Sequence, residues 1–414
     1  MKGTSRLQWS KIRTAYSRLI LQALARRVRR GSITLIDHGR NSVYGTPEKG
    51  LSADIEVLND TFWRRVLSGG GVGLGQSYFL GEWESSDLVA LLRLLTLNLD
   101  RINRAPRRLA PIVHAIRRPF RNVGRPSKSE DRENIASHYD LGDEFFSLFL
   151  DPSMAYSAAV FPKASSTLDE ASKEKFDRIC RKLELGPEDH VVEIGTGWGG
   201  FAVHAATGYG CRVTTTTISQ KQFAYATRAV ADAGLSDRVT VLNADYRDLK
   251  GQFTHLVSIE MIEAVDWRLY ETFFSACAHL LKPDGRAALQ CIVIDDREFQ
   301  RYKTRQDFIR RFIFPGGGLP SITAMSNAMT KASDLRLTDL EDLGPHYVRT
   351  LHEWSERLDT HWDDALALGF EESFLRMWRY YFAYCMAGFA ERHVSVVQIV
   401  LARAQWRGDT GLRP

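Results

Sequence analysis

Cysteine is scarce in this 414-residue chain and scattered where it occurs, at positions 180, 211, 277, 291 and 385, with no C-x-x-C pair. That spacing excludes a cysteine zinc site and a disulfide framework, and it fits a reducing cytoplasm. No metal site is expected. No apolar run reaches the ~18 residues that a membrane span requires. The N-terminus has neither an unbroken apolar core nor a cleavage site, so it is not read as a signal peptide. No internal repeat is present. Acidic residues are missing from two stretches: residues 1–30 and 101–128 each carry nine Lys or Arg and no Asp or Glu, although the formal net charge is a modest +5. Basic blocks of this kind imply a polyanionic partner, lipid or nucleic acid. The second block lacks interleaved stacking aromatics and any binding motif, so nucleic acid is not the expected partner.

The rest of the chain reads as ordinary globular protein, long enough for two or three domains. Residues 1–30 read as a basic amphipathic helix. Ile12, Tyr16, Leu19, Ile20, Ala23 and Leu24 fall at helical spacing among Lys11, Arg13, Arg18, Arg26, Arg27, Arg29 and Arg30. Such a helix suits an anionic membrane surface, and it equally suits packing on its own domain. Residues 31–100 read as a small α+β domain. Strands are expected at 32–36 and 53–57, a helix begins at 62–67, residues 68–73 are expected as a glycine loop, and a helix capped near Ser86-Asp87 runs to about 99. Residues 101–132 read as a basic linker.

From residue 133 to 414 the pattern alternates. Helices are expected at 167–184, 200–207, 219–233 and 268–281, with strands at 190–194, 212–217, 238–242, 255–259 and 286–294. Alternation predicts an α/β, Rossmann-like, mostly parallel sheet wrapped by helices, with ligands at the carboxyl ends of the strands. The pivot is Val191–Gly200, a strand that ends in Glu193-Ile194 and runs into Gly195-Thr196-Gly197-Trp198-Gly199-Gly200. Glycine lets the backbone turn tightly and approach a ligand. A dinucleotide site needs an acid about 20 residues further on, at the end of the next strand. Here that strand ends in Thr217-Ile218-Ser219, and the next acid is Asp232. The acid stands instead at Glu193, before the glycines, which suits a cationic ligand such as S-adenosylmethionine (SAM). A purely structural glycine turn is the alternative. An insertion at about 295–350 and C-terminal helices at 350–368 and 371–390 follow. The latter are rich in aromatics, which serve as core or as the lining of an acyl slot.

These residues resemble the cyclopropane-fatty-acyl-phospholipid synthase and mycolic acid methyltransferase family. The likeness is carried by His138-Tyr139-Asp140-Leu141, Tyr156-Ser157, Glu193–Gly200, Thr217-Ile218-Ser219 with Gln222, Asp245-Tyr246-Arg247-Asp248, Ile313–Ser321 and Arg379–Gly388. It covers roughly residues 133–404, and the small domain before it also looks like the N-terminal domain of the bacterial phospholipid enzymes. The resemblance implies a class I SAM methyltransferase. It implies SAM contacts at Tyr156, Ser157, Glu193, Gly195, Thr196, Gly197, Thr217, Gln222, Asp245 and Tyr246. It carries Glu263 and Tyr347 over as matching catalytic positions, Glu260 and Gln290 are catalytic candidates at positions where this chain departs from the family, and Cys385 matches a family cysteine near the acyl site, with buried packing as the alternative.

In such enzymes an alkene within an acyl chain takes a methyl group from SAM, and a bound bicarbonate removes a proton. This chain departs at the bicarbonate ring. Ala158 stands for a cysteine, Glu260 for a glycine, Ala264 for a histidine and Gln290 for a histidine, whereas Glu263, Ile292 and Tyr347 match. The departures count against bicarbonate and put a carboxylate, Glu260, in its place. Two neighbouring carboxylates are expected to raise at least one pKa. The expected enzyme is cytoplasmic and peripheral on the inner membrane face. It modifies unsaturated phospholipid to a cyclopropane or, more in keeping with the departures, a methyl- or methylene-branched chain. A methyltransferase of another hydrophobic small molecule and a non-catalytic SAM- or lipid-binding protein are the alternatives. A homo-oligomer is compatible with the sequence.

Overall fold

The computed structural model describes residues 3–103 and 141–408. Most of the expected linker, and His138, Tyr139 and Asp140 of the first family motif, lie outside the described residues. The chain divides into two compact units.

The first unit combines Met1–Asn122, Arg305–Ile313 and Leu358–His393. Helix α1 (Gly3–Ala25) leads to a four-stranded sheet of β1 (Ser32–Asp37), β2 (Arg40–Gly45), β3 (Ser52–Val57) and β4 (Trp83–Glu84), in the order β2-β1-β3-β4. β1 runs antiparallel to β2 and parallel to β3. β2 and β4 were not foreseen from the sequence. Helical structure (α2, Thr61–Phe79) occupies the expected loop at 68–73 except for a non-helical break at Gly70, so the loop shrinks to a kink between two helical halves. Gly70 absorbs a kink at φ 56°, ψ −132°, a conformation open to glycine. The glycines further on serve close packing rather than a turn. A Cβ on Gly75 would lie 2.4 Å from Phe308 Cδ2 and 2.7 Å from Tyr380 Cε1. Tertiary packing therefore overrides the weak local propensity.

Helix α3 (Leu88–Leu97) starts where Asp87 accepts a hydrogen bond from the Ala90 amide at 2.8 Å. A short α4 (Leu99–Asn103) follows. The C-terminal helix at Glu372–Ala390 packs against α2 and α3. Arg376 fastens it by donating to the Tyr78 carbonyl at 2.8 Å and pairing with Glu84 at 2.6 Å, and Glu391 pairs with Arg93 at 2.7 Å. Residues 371–390, expected with the methyltransferase domain, thus build the core of the first unit. On α1, Ile12, Tyr16 and Leu19 are 42%, 65% and 63% exposed. Arg18 is turned inward, to Asp37 at 3.1 Å and Asp60 at 2.9 Å. Among the described residues no helix is long and apolar enough to cross a membrane.

The second unit holds the alternating pattern. Its elements are α5 (Gly142–Ser147), α6 (Leu168–Leu183), β5 (His190–Ile194), α7 (Gly200–Tyr209), β6 (Arg212–Thr217), α8 (Gln220–Asp232), β7 (Val239–Asn243), β8 (Phe253–Ile259), α9 (Tyr270–Leu280), β9 (Leu281–Ile294), α10 (Asp296–Tyr302), α11 (Ile322–Ala332), β10 (Arg336–Asp342), α12 (Gly344–Thr360, here through Arg357) and β11 (Val394–Ala402). Alternation with short connections places five strands in parallel, and β11 returns antiparallel to β9. The sheet order is β10-β11-β9-β8-β5-β6-β7. The mostly parallel sheet is as expected, and β10 and β11 are additions. Two apolar clusters cover its faces, one around Phe273, Phe274 and Leu289, the other around Phe176, Ile179 and Phe201. Sequence order reverses at β5, so the crevice beyond its carboxyl end is where an open α/β sheet receives ligands.

Gly75→Ala should lower the thermal unfolding midpoint, because overpacking costs roughly 1–3 kcal/mol. Gly71→Ala on the same helix has nothing within 4 Å of its Cβ. It should leave the midpoint unchanged or raise it, through better helix propensity.

Candidate active site

The site begins where β5 stops. Gly195 turns at φ 100° and Gly197 at φ 51°, and the Gly195 and Thr196 amides both donate to the Thr216 carbonyl of β6, at 3.1 and 3.0 Å. Gly199, at φ 91°, opens α7. A Cβ on Gly200 would lie 2.6 Å from the Ser153 carbonyl oxygen, so the chain around residues 153–158 lies against the glycine turn. Glu193 is buried and accepts from Thr215 Oγ1 at 2.5 Å, and Thr215 Oγ1 also meets Thr196 Oγ1 at 2.7 Å. Burial pushes the Glu193 carboxyl up to about 8, offset in part by the Thr215 bond. At the end of β6, Thr217 donates to Gln222 Oε1 at 2.7 Å. After β7, the Asp245 carboxylate accepts from Arg247 Nε at 2.8 Å and Nη2 at 2.6 Å, and Tyr246 rests edge-on against Phe273. Tyr156 sits in an aromatic group with Phe146 at 5.1 Å and Trp354 at 5.3 Å.

These residues fit the SAM expected from the sequence. The glycine turn leaves open space at Gly197, where a Cβ would meet nothing within 4 Å, while Gly195 packs closely on Met261. Acidic, hydroxyl, amide and aromatic groups follow at the ends of three neighbouring strands, the donor set for an ammonium, ribose hydroxyls and an adenine face.

A second group stands at the ends of β8 and β9. Glu260 follows β8 directly, with φ 47°. A non-glycine residue in this left-handed region is uncommon and costs about 1–2 kcal/mol. Its own amide donates to the Gln290 carbonyl at 2.7 Å. Its carboxylate collects three donors. The Ala158 amide and Gln290 Nε2 each reach Oε1 at 2.8 Å, and the Tyr347 hydroxyl reaches Oε2 at 3.0 Å. Gln290 Nε2 also donates to the Ala158 carbonyl at 3.0 Å, and Gln398 Nε2 donates to Gln290 Oε1 at 3.0 Å. A carbonyl oxygen accepts and never donates, so the Ala158 contact orients the Gln290 amide with its NH2 toward Glu260. Gln398 then completes the other side.

Glu263 is also buried. One carboxylate oxygen accepts from the Ile292 amide, and Oε2 has no hydrogen-bond partner among the described residues. Burial first, and the Glu260 charge second, push its carboxyl up to about 8. Burial raises Glu260 as well, and Gln290, Ala158, Lys175 and Tyr347 oppose that rise. Glu263 therefore keeps the proton at neutral pH, and Glu260, with three donors, is the better-stabilised anion.

Glu260, Glu263, Gln290 and Tyr347 thus come together in the second unit. Cys385 lies on the Glu372–Ala390 helix of the first unit, where burial pushes its thiol up and out of the reactive range. Sequence reasoning missed Gln398, Thr215 and Lys175. Lys175 left a signal: it falls on the apolar stripe of α6 with Leu168, Phe176, Ile179 and Leu183. Gln398 left a weaker one, a lone amide within Val394–Ala402.

Against known proteins, a family model described as mycolic acid cyclopropane synthetase matches residues 126–399. The tuberculostearic acid methyltransferase UfaA1 of Mycobacterium tuberculosis is 38% identical over 356 residues, 83% of this chain and 82% of that protein. The cyclopropane-fatty-acyl-phospholipid synthase of Escherichia coli is 35% identical over 364 residues, 87% of this chain and 90% of that one. A solved structure of the mycolic acid cyclopropane synthase CmaA1, complexed with SAH and CTAB, superposes with a TM-score of 0.62 at 31% identity. It covers 66% of this chain and 98% of that chain.

The Glu263 carboxyl moves from its usual 4.5 to about 8 on folding. Between those values the native state holds the proton that the unfolded chain has lost, so stability falls as pH rises. Glu263→Gln removes that slope. Its unfolding midpoint should gain on the wild type steadily between about pH 5 and pH 8 in calorimetry. A gap that stays constant with pH would contradict the assignment.

Proposed function

The chain belongs to the mycolic acid cyclopropane synthetase family and is a SAM-dependent methyltransferase, and from that premise we propose that it adds a one-carbon unit to the double bond of an unsaturated phospholipid acyl chain, with Glu260 as the base. The observation that carries this reading is the Glu260 carboxylate, held in a left-handed backbone by the Ala158 amide, Gln290 and Tyr347. A carboxylate has the planar O–C–O geometry of bicarbonate. Backbone strain beside a buried charge persists where the surroundings enforce it, and such sites are commonly functional.

SAM, when bound, supplies an electrophilic methyl group to the alkene, and positive charge develops on the acyl chain. The residues of this chain do the rest. Burial keeps water from the cation, and the fixed Glu260 charge stabilises it at short range. Burial raises the Glu260 carboxyl, and Gln290, the Ala158 amide, Lys175 and Tyr347 favour its ionised form against that rise. Tyr347 and Gln290 aim its oxygens, and Glu263 stays neutral beside it, so the pocket carries one negative charge there rather than two. Glu260 then accepts the proton, and the electron pair of the broken C–H bond neutralises the cation. Loss from the new methyl directly closes a cyclopropane. A hydride shift to the cationic carbon first, then loss from that methyl, leaves a methylene branch. The replacement of the bicarbonate-holding positions by Ala158, Ala264 and Gln290 supports branching, to a methylene-bearing chain; a saturated methyl branch follows only if a separate hydride donor reduces that product.

The substrate reading draws support from α1. Ile12, Tyr16, Leu19 and Ala23 form an exposed apolar stripe, with Arg13 and Arg26 exposed beside it. An interfacial helix of this kind buries its apolar face among lipids while cations meet anionic headgroups. The exposed stripe supports the reading of an enzyme peripheral on a membrane face, which this proposal takes as the inner, cytoplasmic one.

Expression in a host with unsaturated phospholipids should add the mass of one CH2 group to acyl chains, in a product that catalytic hydrogenation reduces. A ring would resist mild hydrogenation. Glu260→Gln should lower turnover by about a hundredfold or more while SAH affinity stays within about threefold, and added bicarbonate should not stimulate the wild type. Full turnover in Glu260→Gln sinks the assignment of the base. Tyr16→Asp with Leu19→Asp should weaken binding to phosphatidylglycerol vesicles by roughly tenfold in flotation, with activity on detergent-dispersed lipid unchanged.

A further inference from the structure

We propose that Lys175 is a positioning residue for the methyl donor: through Ser157, its buried ammonium complements the donor's carboxylate. This rests on the reading that Ser157 borders the donor site.

Lys175 is fully buried on the core face of α6. An ammonium taken out of water needs a counter-charge. Among the described residues, its hydrogen-bond acceptor is Ser157 Oγ at 2.7 Å, and no carboxylate lies within ion-pair distance. The Phe176 ring lies 4.5 Å from Nζ and supplies a weaker electrostatic contact. Two carboxylates act on Lys175 at longer range, and the hydrogen bonds of both are already committed. Asp151 accepts from the Ser153 amide at 2.9 Å, the Ser153 hydroxyl at 2.5 Å and the Ser172 hydroxyl at 2.9 Å. Glu260 is held as described above. Burial draws the Lys175 ammonium down to about 8, against the pull of Glu260 and Asp151, so it stays largely charged near neutrality.

The serine has a direction as a result. Lys175 occupies an acceptor lone pair of Ser157, so the hydroxyl proton is left to donate elsewhere, and no acceptor for it is found among the described residues. Ser157 sits between Tyr156, whose ring packs on Phe146, and Ala158, which binds Glu260. Phe146 in turn lies 5.9 Å from Trp198 in the glycine turn. The hydroxyl therefore belongs to the wall beside that turn. Of the acceptors on SAM, namely the ribose hydroxyls, the adenine nitrogens and the carboxylate, only the carboxylate is anionic, and it is the one that a cation-backed hydroxyl favours most. A charge-assisted donor of this kind is stronger than a neutral serine.

The test is calorimetric binding of two ligands to the full-length protein. S-adenosylhomocysteine keeps the carboxylate, and 5′-methylthioadenosine lacks the whole amino-acid end. Lys175→Met should weaken S-adenosylhomocysteine by about tenfold or more and leave 5′-methylthioadenosine within about twofold. Lys175→Gln, which keeps an N–H for Ser157 but no charge, should show the same selective loss, so the test does not depend on one variant folding. Equal weakening of both ligands, or none, overturns the inference. If Ser157→Ala loses S-adenosylhomocysteine selectively while neither Lys175 variant does, the inference fails and the placement of Ser157 stands. If the unchanged protein binds neither ligand, the donor-site reading fails with it.

Discussion

The second unit is built around the cost of keeping a carboxylate out of water. An isolated charge in a protein interior is penalised by several kcal/mol unless hydrogen bonds replace its hydration shell. Glu260 receives that replacement from three separate parts of the chain: the amide of Ala158, the side chain of Gln290 on β9, and the hydroxyl of Tyr347 on α12. None of these donors is local to Glu260 in sequence, so the charge is tolerated only once sheet, loop and helix have assembled. The more completely such a buried polar network is satisfied, the more rigid it is, and each unmet group is costly. Gln398 matters for the same reason, because it engages the oxygen of the amide whose nitrogen faces Glu260.

The electrostatic balance extends outward from that charge. Glu263 lies buried with one oxygen unpartnered among the described residues, an arrangement that favours the neutral acid. Lys175 places a positive charge behind Ser157. Of the two carboxyls, Glu260 is the better supplied with donors and Glu263 the neutral one, which under the proposed reaction suits an intermediate whose only new charge is a cation.

The parallel core was legible because its physics is periodic. Helix and strand alternate between 167 and 294, glycine punctuates the β5 turn, and Glu193 precedes it, so five strands and the SAM crevice follow from pattern. What was not legible lacked a local signal. Residues 68–73 look like a loop because four glycines in six positions argue against helix. Only the close approach of Phe308 and Tyr380 at Gly75 explains why that helix carries small residues. The aromatics of 371–390 read as core or as the lining of an acyl slot, and their observed packing, with Tyr380 against Tyr78 of α2 and against Phe308, joins positions far apart in sequence. At the site, the resemblance to the family pointed to Glu260 as a substitution for glycine. It did not reveal that the backbone keeps the glycine-like φ of 47°. Gln398 and Thr215 were invisible because a buried amide or hydroxyl in a β-rich stretch looks like any other until its partner is seen.

The composition of the first unit has a consequence for how the protein is made. Its N-terminal sheet and α2 leave the ribosome early, but Phe308 and the Glu372–Ala390 helix complete the same core and arrive only near the end of translation. Until then the apolar surface around Gly75, Tyr78 and α3 has no native cover. The segment synthesised first is therefore among the last to finish folding, and the nascent chain must pass most of its synthesis with that surface exposed to chaperones or to aggregation.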